Sequence, residues 1–301
     1  MRVLITGGSG FLGAWIMKRL LARGVGCVAF DLRADTRLIE ALAPGRAASV
    51  QWRTGDIANP ADTARALEGC DAVIHLAGIL TPECAANPVR GAQINLIGTL
   101  NVFDAARVAG IRRVLYASSA GVFGPDDGAT PLPQTHYGAF KLACEGSARA
   151  SWHDHGIASI GFRPLVVYGA GRESGSSAGP SLACRAAARG EPYTITFGGS
   201  TGLVFADDVA AAYEAALLCD FTGAHAFTLA GEITPVQTLI EKIVTIVPGA
   251  CIDADGPPLP IATTFPHDPE LARLLPDLQQ TTLEEGLRQT VAFYRHSHQS
   301  S

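Results

Sequence analysis

Apolar residues fall in short unbroken runs through the first half of the chain, and most runs are followed by a stretch with helical spacing. The runs predict strands over 3–6, 26–31, 50–54, 72–76, 114–118 and 158–162. The helical patterns predict helices over 12–22, 60–67, 88–109 and 136–155. Pro60 opens the second of these at the position where a missing N–H costs least. Continuous rather than alternating apolar strands are expected where helices cover both sheet faces. Strand–helix alternation of this kind predicts an α/β fold, a right-handed doubly wound parallel sheet that binds ligands at the carboxyl ends of its strands. Beyond about residue 165 the pattern loosens. Residues 169–179 are rich in Gly and Ser, and helices are predicted over 180–189, 208–219, 235–246 and 283–295. The expected division is a sheet domain over 1–165 and, over 166–301, a smaller, mostly helical lobe interleaved with the last sheet strands.

Composition narrows the function classes. The 301 residues are 48% hydrophobic, enough for a large core. A net charge of −5, with no run of five like charges, leaves no footprint for nucleic acid. No apolar stretch approaches the ~20 residues of a membrane span, so no membrane partner is expected. The seven cysteines are odd in number and form no Cys-x-x-Cys pair. They read as free thiols of a cytoplasmic protein, with no metal site. His296 and His298 sit by a polar tail, 297–301, that reads as a frayed end.

Three glycines carry the first chemical signal. Gly7, Gly10 and Gly13 form G-x-x-G-x-x-G between a predicted strand and a predicted helix, the context of a Rossmann-type dinucleotide site. Gly7 allows a tight turn, Gly10 lets backbone reach a pyrophosphate, and Gly13 permits close helix–sheet packing. The helix start supplies free N–H groups and a positive dipole. Asp31 ends the second strand, where a carboxylate accepts bonds from the adenosine ribose and repels a 2′-phosphate. That favours NAD over NADP, with Arg33 as a partial rescue for the phosphate and a plain turn role for Asp31 as the alternative.

Tyr137 and Lys141 stand four apart in a predicted helix and share a face. Such a pair is common by accident. Its weight rises because Ser118 and Ser119 end a predicted strand at the ligand-binding edge. The set suits proton transfer at an alcohol or ketone: a serine holds the substrate oxygen, Tyr137 gives or takes the proton, and the Lys141 ammonium favours the tyrosinate.

With these residues in place the sequence resembles the extended short-chain dehydrogenase/reductase superfamily, in its NAD-dependent epimerase/dehydratase branch. The matching segments run from Thr6-Gly7-Gly8-Ser9-Gly10-Phe11-Leu12-Gly13 through Gly55-Asp56-Ile57, His75-Leu76-Ala77-Gly78 and Asn95-Leu96-Ile97-Gly98-Thr99. They continue through Ser118 to Gly124, Tyr137 to Lys141, Arg163-Pro164, Val167-Tyr168-Gly169, Asp207 to Ala210 and Leu283 to Leu287. The resemblance implies Ser119, Tyr137 and Lys141 as the catalytic set. It implies Gly7, Gly10, Phe11, Leu12, Gly13, Asp31, Asp56, Ile57, Leu76, Ala77, Gly78, Asn95, Tyr137 and Lys141 at the cofactor, with Asp56 and Ile57 toward the adenine. Asn95 reads equally as a solvated helix residue. The resemblance also implies a homodimer through the helices over 88–109 and 136–155.

Departures from the pattern shape the functional expectation. Sugar-nucleotide enzymes of this branch usually place an asparagine before Val-Tyr-Gly, where this chain has Val166. They usually carry an arginine before Asp-Asp-Val, where it has Ser200-Thr201-Gly202-Leu203. The acidic dyad of the dehydratases is also lacking. A polar loop, Gly171 to Ser177, offers Arg172 as an anion partner beside Ser118 and Ser119, or is a plain surface loop. The leading expectation is therefore an NAD-dependent oxidoreductase acting on a secondary alcohol or ketone of a small polar, sugar-like substrate. A sugar-nucleotide epimerase using NAD transiently is the alternative, and a non-catalytic dinucleotide sensor is the third reading.

Overall fold

The computed structural model describes residues 1–125, 128–266 and 268–299, with side chains through residue 296. Ser300, Ser301 and the His298 side chain lie outside the described residues.

Strands and helices alternate through the first half as β1 (Arg2–Thr6), α1 (Phe11–Ala22), β2 (Gly26–Asp31), α2 (Arg37–Leu42), β3 (Gln51–Thr54), α3 (Pro60–Leu67) and β4 (Ala72–His75). Then come α4 (Thr81–Ala86), α5 (Pro88–Ala92), α6 (Gly98–Val108), β5 (Arg113–Ala117), α7 (His136–His155) and β6 (Ala158–Pro164). The second half adds β7 (Val166–Tyr168), α8 (Gly179–Arg189), β8 (Tyr193–Ile195), β9 (Ser200–Phe205) and α9 (Ala206–Leu218). It ends with β10 (Ala224–Leu229), β11 (Glu232–Pro235), α10 (Val236–Ile246), β12 (Ile252–Ala254), α11 (Pro269–Leu274) and α12 (Leu283–Gln299). The main sheet has seven parallel strands in the order β10-β6-β5-β4-β1-β2-β3. The order reverses beside β1, so β1 and β4 flank the crevice where such sheets bind ligands.

Three expectations are corrected. The helix over 88–109 is not uniform: between α5 and α6 a π-helical turn runs Gln93–Ile97, and Asn95 sits in it. A π turn inserts one extra residue and re-aims its neighbours, and such turns gather at functional sites. The second half is less helical than the pattern suggests. It carries a three-stranded sheet, β11-β9-β7, and a pair, β12-β8, that the apolar runs did not mark out. The last helix, finally, runs on into the segment expected to fray and ends at Gln299.

β10, from the second half, completes the main sheet at its edge, and one continuous core runs across both halves. Among the described residues no helix is long and apolar enough to cross a membrane.

Candidate active site

A cleft of about 470 Å³ opens at the carboxyl ends of β1, β4 and β5. Its wall includes Gly7, Gly10, Phe11, Leu12 and Gly13 from the first turn, Leu76 and Gly78 after β4, and Asn95 from the π turn. Ser118, Ser119, Tyr137, Lys141 and Arg172 complete the expected residues found there. Asp31, Asp56, Ile57 and Ala77 are not among its lining residues; they sit at or just beyond the ends of β2, β3 and β4.

The glycine turn is tight for a physical reason. Gly7 has φ +70°, and a Cβ there would stand 2.9 Å from the Ala77 amide nitrogen. A Cβ on Gly13 would come 2.5 Å from the Gly7 carbonyl oxygen and 3.0 Å from the Gly8 backbone, so Gly13 lets α1 pack directly on the backbone that leaves β1. Gly8, in the turn itself, lies against β2, where an added Cβ would meet the Ala29 Cβ at 2.6 Å. Helix α1 starts at Phe11 with no capping side chain and no acid in its first turn. Its leading N–H groups therefore point into the cleft as a positive end, which suits a diphosphate. The cradle and the unpaired donors fit a dinucleotide. Asp31 is already engaged: Oδ2 accepts from the Ser9 amide at 3.0 Å and Oδ1 from the Leu32 amide at 2.8 Å. These bonds fix the carboxylate at the turn. Asp56 accepts from the Ala58 amide at 2.9 Å, and Ile57 packs beneath Gly98.

Helix α7 carries Tyr137 and Lys141 on one face. Thr135 caps it by accepting from the Gly138 amide at 3.0 Å, which holds the first turn where Tyr137 sits. Lys141, buried, donates to the Ala117 carbonyl at 2.6 Å, and its Nζ lies 5.7 Å from the centre of the Tyr137 ring. Ser119 follows β5 with extended backbone, and its Oγ accepts from the Gly121 amide at 3.1 Å. Its own proton remains free to donate.

Ser118 behaves differently from expectation. Its hydroxyl donates to Glu145 Oε1 at 2.5 Å in the buried interior, so it is not available to a substrate. Successive residues on extended backbone point to opposite faces, and Ser119 takes the cleft side. Glu145 in turn holds Arg163 through two bonds, Nε–Oε1 at 2.7 Å and Nη2–Oε2 at 2.5 Å. Arg163 stood in the sequence only as part of a matching segment with no role attached, and Glu145 was not singled out, although it continues the i, i+4 series of Tyr137 and Lys141 along α7.

Asn95 is fully buried, which rules out the solvated-helix reading. Its Nδ2 donates to the Ile79 carbonyl at 3.1 Å and approaches Cys84 Sγ at 3.2 Å, while Oδ1 has no partner. A Cβ on Gly78 would lie 2.5 Å from that Oδ1 and 3.8 Å from Lys141 Nζ, so backbone alone fits where these groups meet.

Behind them runs a buried chain that sequence reasoning missed. His75 Nδ1 lies 2.7 Å from Thr6 Oγ1, and its Nε2 lies 3.0 Å from Thr99 Oγ1. The single Thr99 proton goes to the Asn95 carbonyl at 2.6 Å, so Thr99 must accept from His75. That assigns the Nε2–H tautomer and makes Thr6 the donor to Nδ1. Burial pulls the His75 imidazole down to about 3, and the nearby Lys141 ammonium adds to the effect. The ring is neutral and ties β1 and β4 to the π turn.

Arg172 enters the cleft from the loop after β7. One Nη2 bond reaches Ser177 Oγ at 2.9 Å, and Nε is sealed from solvent with no acceptor. Burial lowers the guanidinium from its ordinary value, and Tyr137 partly opposes that shift.

Residues 3–228 match the model of the NAD dependent epimerase/dehydratase family. The UDP-glucose 4-epimerase of Mycolicibacterium smegmatis is 29% identical in an alignment covering 99% of this chain and 100% of that protein. The 2-alkyl-3-oxoalkanoate reductase of Stenotrophomonas maltophilia is also 29% identical, over 84% of this chain and 78% of that protein. In three dimensions the chain resembles the UDP-glucose 4-epimerase of Thermus thermophilus, whose structure is a complex with NAD. The TM-score is 0.82 at 24% identity, covering 98% of this chain and 99% of the other.

Proposed function

The chain belongs to the NAD dependent epimerase/dehydratase family, and from that premise we propose that it epimerises a nucleotide-linked sugar at a secondary-alcohol carbon, using NAD transiently. The observation that carries this reading is that Ser119, Tyr137, Lys141 and the glycine turn face one cleft. The full-length likeness to a UDP-glucose 4-epimerase supports it over net dehydrogenation of a small substrate, the leading expectation from sequence.

The residue roles follow from the groups present. The turn from Gly7 to Gly13, with Phe11 and Leu12, holds the cofactor's diphosphate. Asp31 takes the adenosine ribose, Asp56 and Ile57 flank the adenine, and Leu76, Ala77, Gly78 and Asn95 line the nicotinamide half. Bound there, NAD supplies a hydride acceptor that returns the hydride within the same turnover. Tyr137 removes the substrate hydroxyl proton and gives it back on the reverse step. Lys141 stabilises the phenolate through its charge, and Ser119 donates a hydrogen bond to the substrate oxygen.

Incubation with UDP-glucose and NAD tests the reading: UDP-galactose is expected without net NADH. Net NADH from a small hydroxylated substrate, with no UDP-galactose, refutes it. That outcome is the second reading, favoured by Val166, an apolar and buried residue in the cleft wall, and by Thr201 and Gly202, which lie within β9. A homodimer through the α5–α6 and α7 helices fits the exposed Ile97 and Leu100, and a solution mass of one chain would exclude it. Seven free cysteines support a reducing, cytoplasmic setting, which localisation of a tagged chain tests directly.

A further inference from the structure

We infer that the loop from Gly171 to Ser177 is a fixed strap over the cofactor and that Arg172 on it binds the bridging diphosphate of NAD. This rests on the NAD site proposed above and assigns to the cofactor an anion partner that the sequence pattern alone suggested for the substrate.

The path of the loop is the first argument. Gly171, at φ +87°, lies against Leu38 of α2, where an added Cβ would meet Cδ1 at 2.4 Å. The Arg172 guanidinium carbon lies 5.9 Å from the centre of the Phe11 ring, at the start of α1. Gly175, at φ +96°, lies against Leu80 just before α4, with an added Cβ 2.8 Å from Cδ1. The loop thus passes from the helix after β2, across the glycine turn after β1, to the segment after β4. A dinucleotide laid over the crevice of such a sheet has its two nucleotide halves on either side of that turn and its diphosphate at the middle.

Anchoring is the second argument. Trp15 Nε1 donates to the Ala170 carbonyl at 3.0 Å, and the Gly171 amide donates to the Tyr294 hydroxyl at 3.0 Å. Tyr294 donates to Glu173 Oε1 at 3.0 Å, and Arg185 pairs with the same carboxylate. The loop on either side of Arg172 is held by α1, α8 and α12 rather than swinging freely.

The third argument is the donor left over. Arg172 Nε is sealed from water and unpaired, which is costly unless an acceptor arrives. The α1 start offers an anion only backbone N–H groups, with no capping side chain. Lys141, the other cationic side chain of the cleft wall, is committed to the Ala117 carbonyl beside Tyr137. A diphosphate oxygen satisfies Nε and gives the buried charge its counter-ion.

Calorimetric titration of NAD, ADP-ribose and UDP-glucose into wild type, Arg172→Met and Arg172→Lys tests this. The methionine variant should lose about ten- to a hundredfold in affinity for both NAD and ADP-ribose, the loss of one charge-assisted contact. The lysine variant should recover part of it, because it restores the charge without the planar fork. UDP-glucose binding to the NAD-loaded protein should be little changed. Unaltered NAD and ADP-ribose affinities overturn the inference, and so does a loss confined to UDP-glucose, which gives the guanidinium to the substrate. A wild type that binds neither NAD nor ADP-ribose removes the NAD site itself, a failure separate from that of the strap. If Arg172→Met melts low, Arg172→Gln carries the same comparison.

Discussion

Glu145→Leu removes the acid at the centre of a buried polar cluster. The Glu145 and Arg163 side chains are 3% and 15% exposed, the pair is bidentate, and Ser118 adds a third bond. Arg163 also lies over the Phe123 ring at 5.1 Å, and its side chain keeps only limited contact with water. Taking one partner from a buried pair leaves an uncompensated charge and costs about 3–5 kcal/mol. Replacing both by apolar residues of similar volume removes that charge and is often neutral or stabilising. Glu145→Leu should therefore destabilise the fold by about 3–5 kcal/mol in urea unfolding. Adding Arg163→Leu should recover most of that loss, giving a coupling energy of roughly 2 kcal/mol or more in the double-mutant cycle. The cluster joins α7, β6 and the end of β5, the elements that carry Tyr137, Lys141 and Ser119. Turnover should follow stability: low in the single variant and partly restored in the double. A single variant within about 1 kcal/mol of wild type, or a double variant no better than the single, refutes the account.

Tyr137→Phe should keep the fold and lose about 10²–10⁴-fold in turnover, the usual weight of general acid–base catalysis; near-full activity in a folded variant removes Tyr137 from the mechanism. Gly13→Ala puts a Cβ 2.5 Å from the Gly7 carbonyl and should distort the turn, weakening NAD by about tenfold or more in titration while melting shows a folded sheet; wild-type NAD affinity in this variant excludes the tight-turn account. His75 is depressed to about 3 when folded, against a reference of about 6.5 when unfolded, so the unfolded state binds the extra proton between those values. Its contribution is complete above about pH 6.5 and is lost as pH falls toward about 3, so the stability gap between wild type and His75→Gln should narrow on acidification; a constant or widening gap refutes the neutral-histidine assignment.

The sheet, its parallel sense and the glycine turn were legible in the chain, because apolar runs, a glycine triplet and flanking helical periods are local signals. Tyr137 and Lys141 were legible for the same reason: four residues along a helix fixes a shared face whatever surrounds it. The resemblance already pointed to Ser119, but only the tertiary structure showed that the Ser118 hydroxyl is taken up by Glu145, 27 residues beyond it. Only it revealed the π turn at Asn95, because an i to i+5 turn leaves no hydrophobic period of its own. Strands β7 to β9, β11 and β12 escaped the pattern because their pairing is set by partners far along the chain. The path of the Arg172 loop depends in the same way on Leu38, Phe11 and Leu80, which no spacing rule links to it. Local sequence encodes periodicity and turn chemistry, whereas the direction of a single side chain is set by neighbours that only the folded chain brings together.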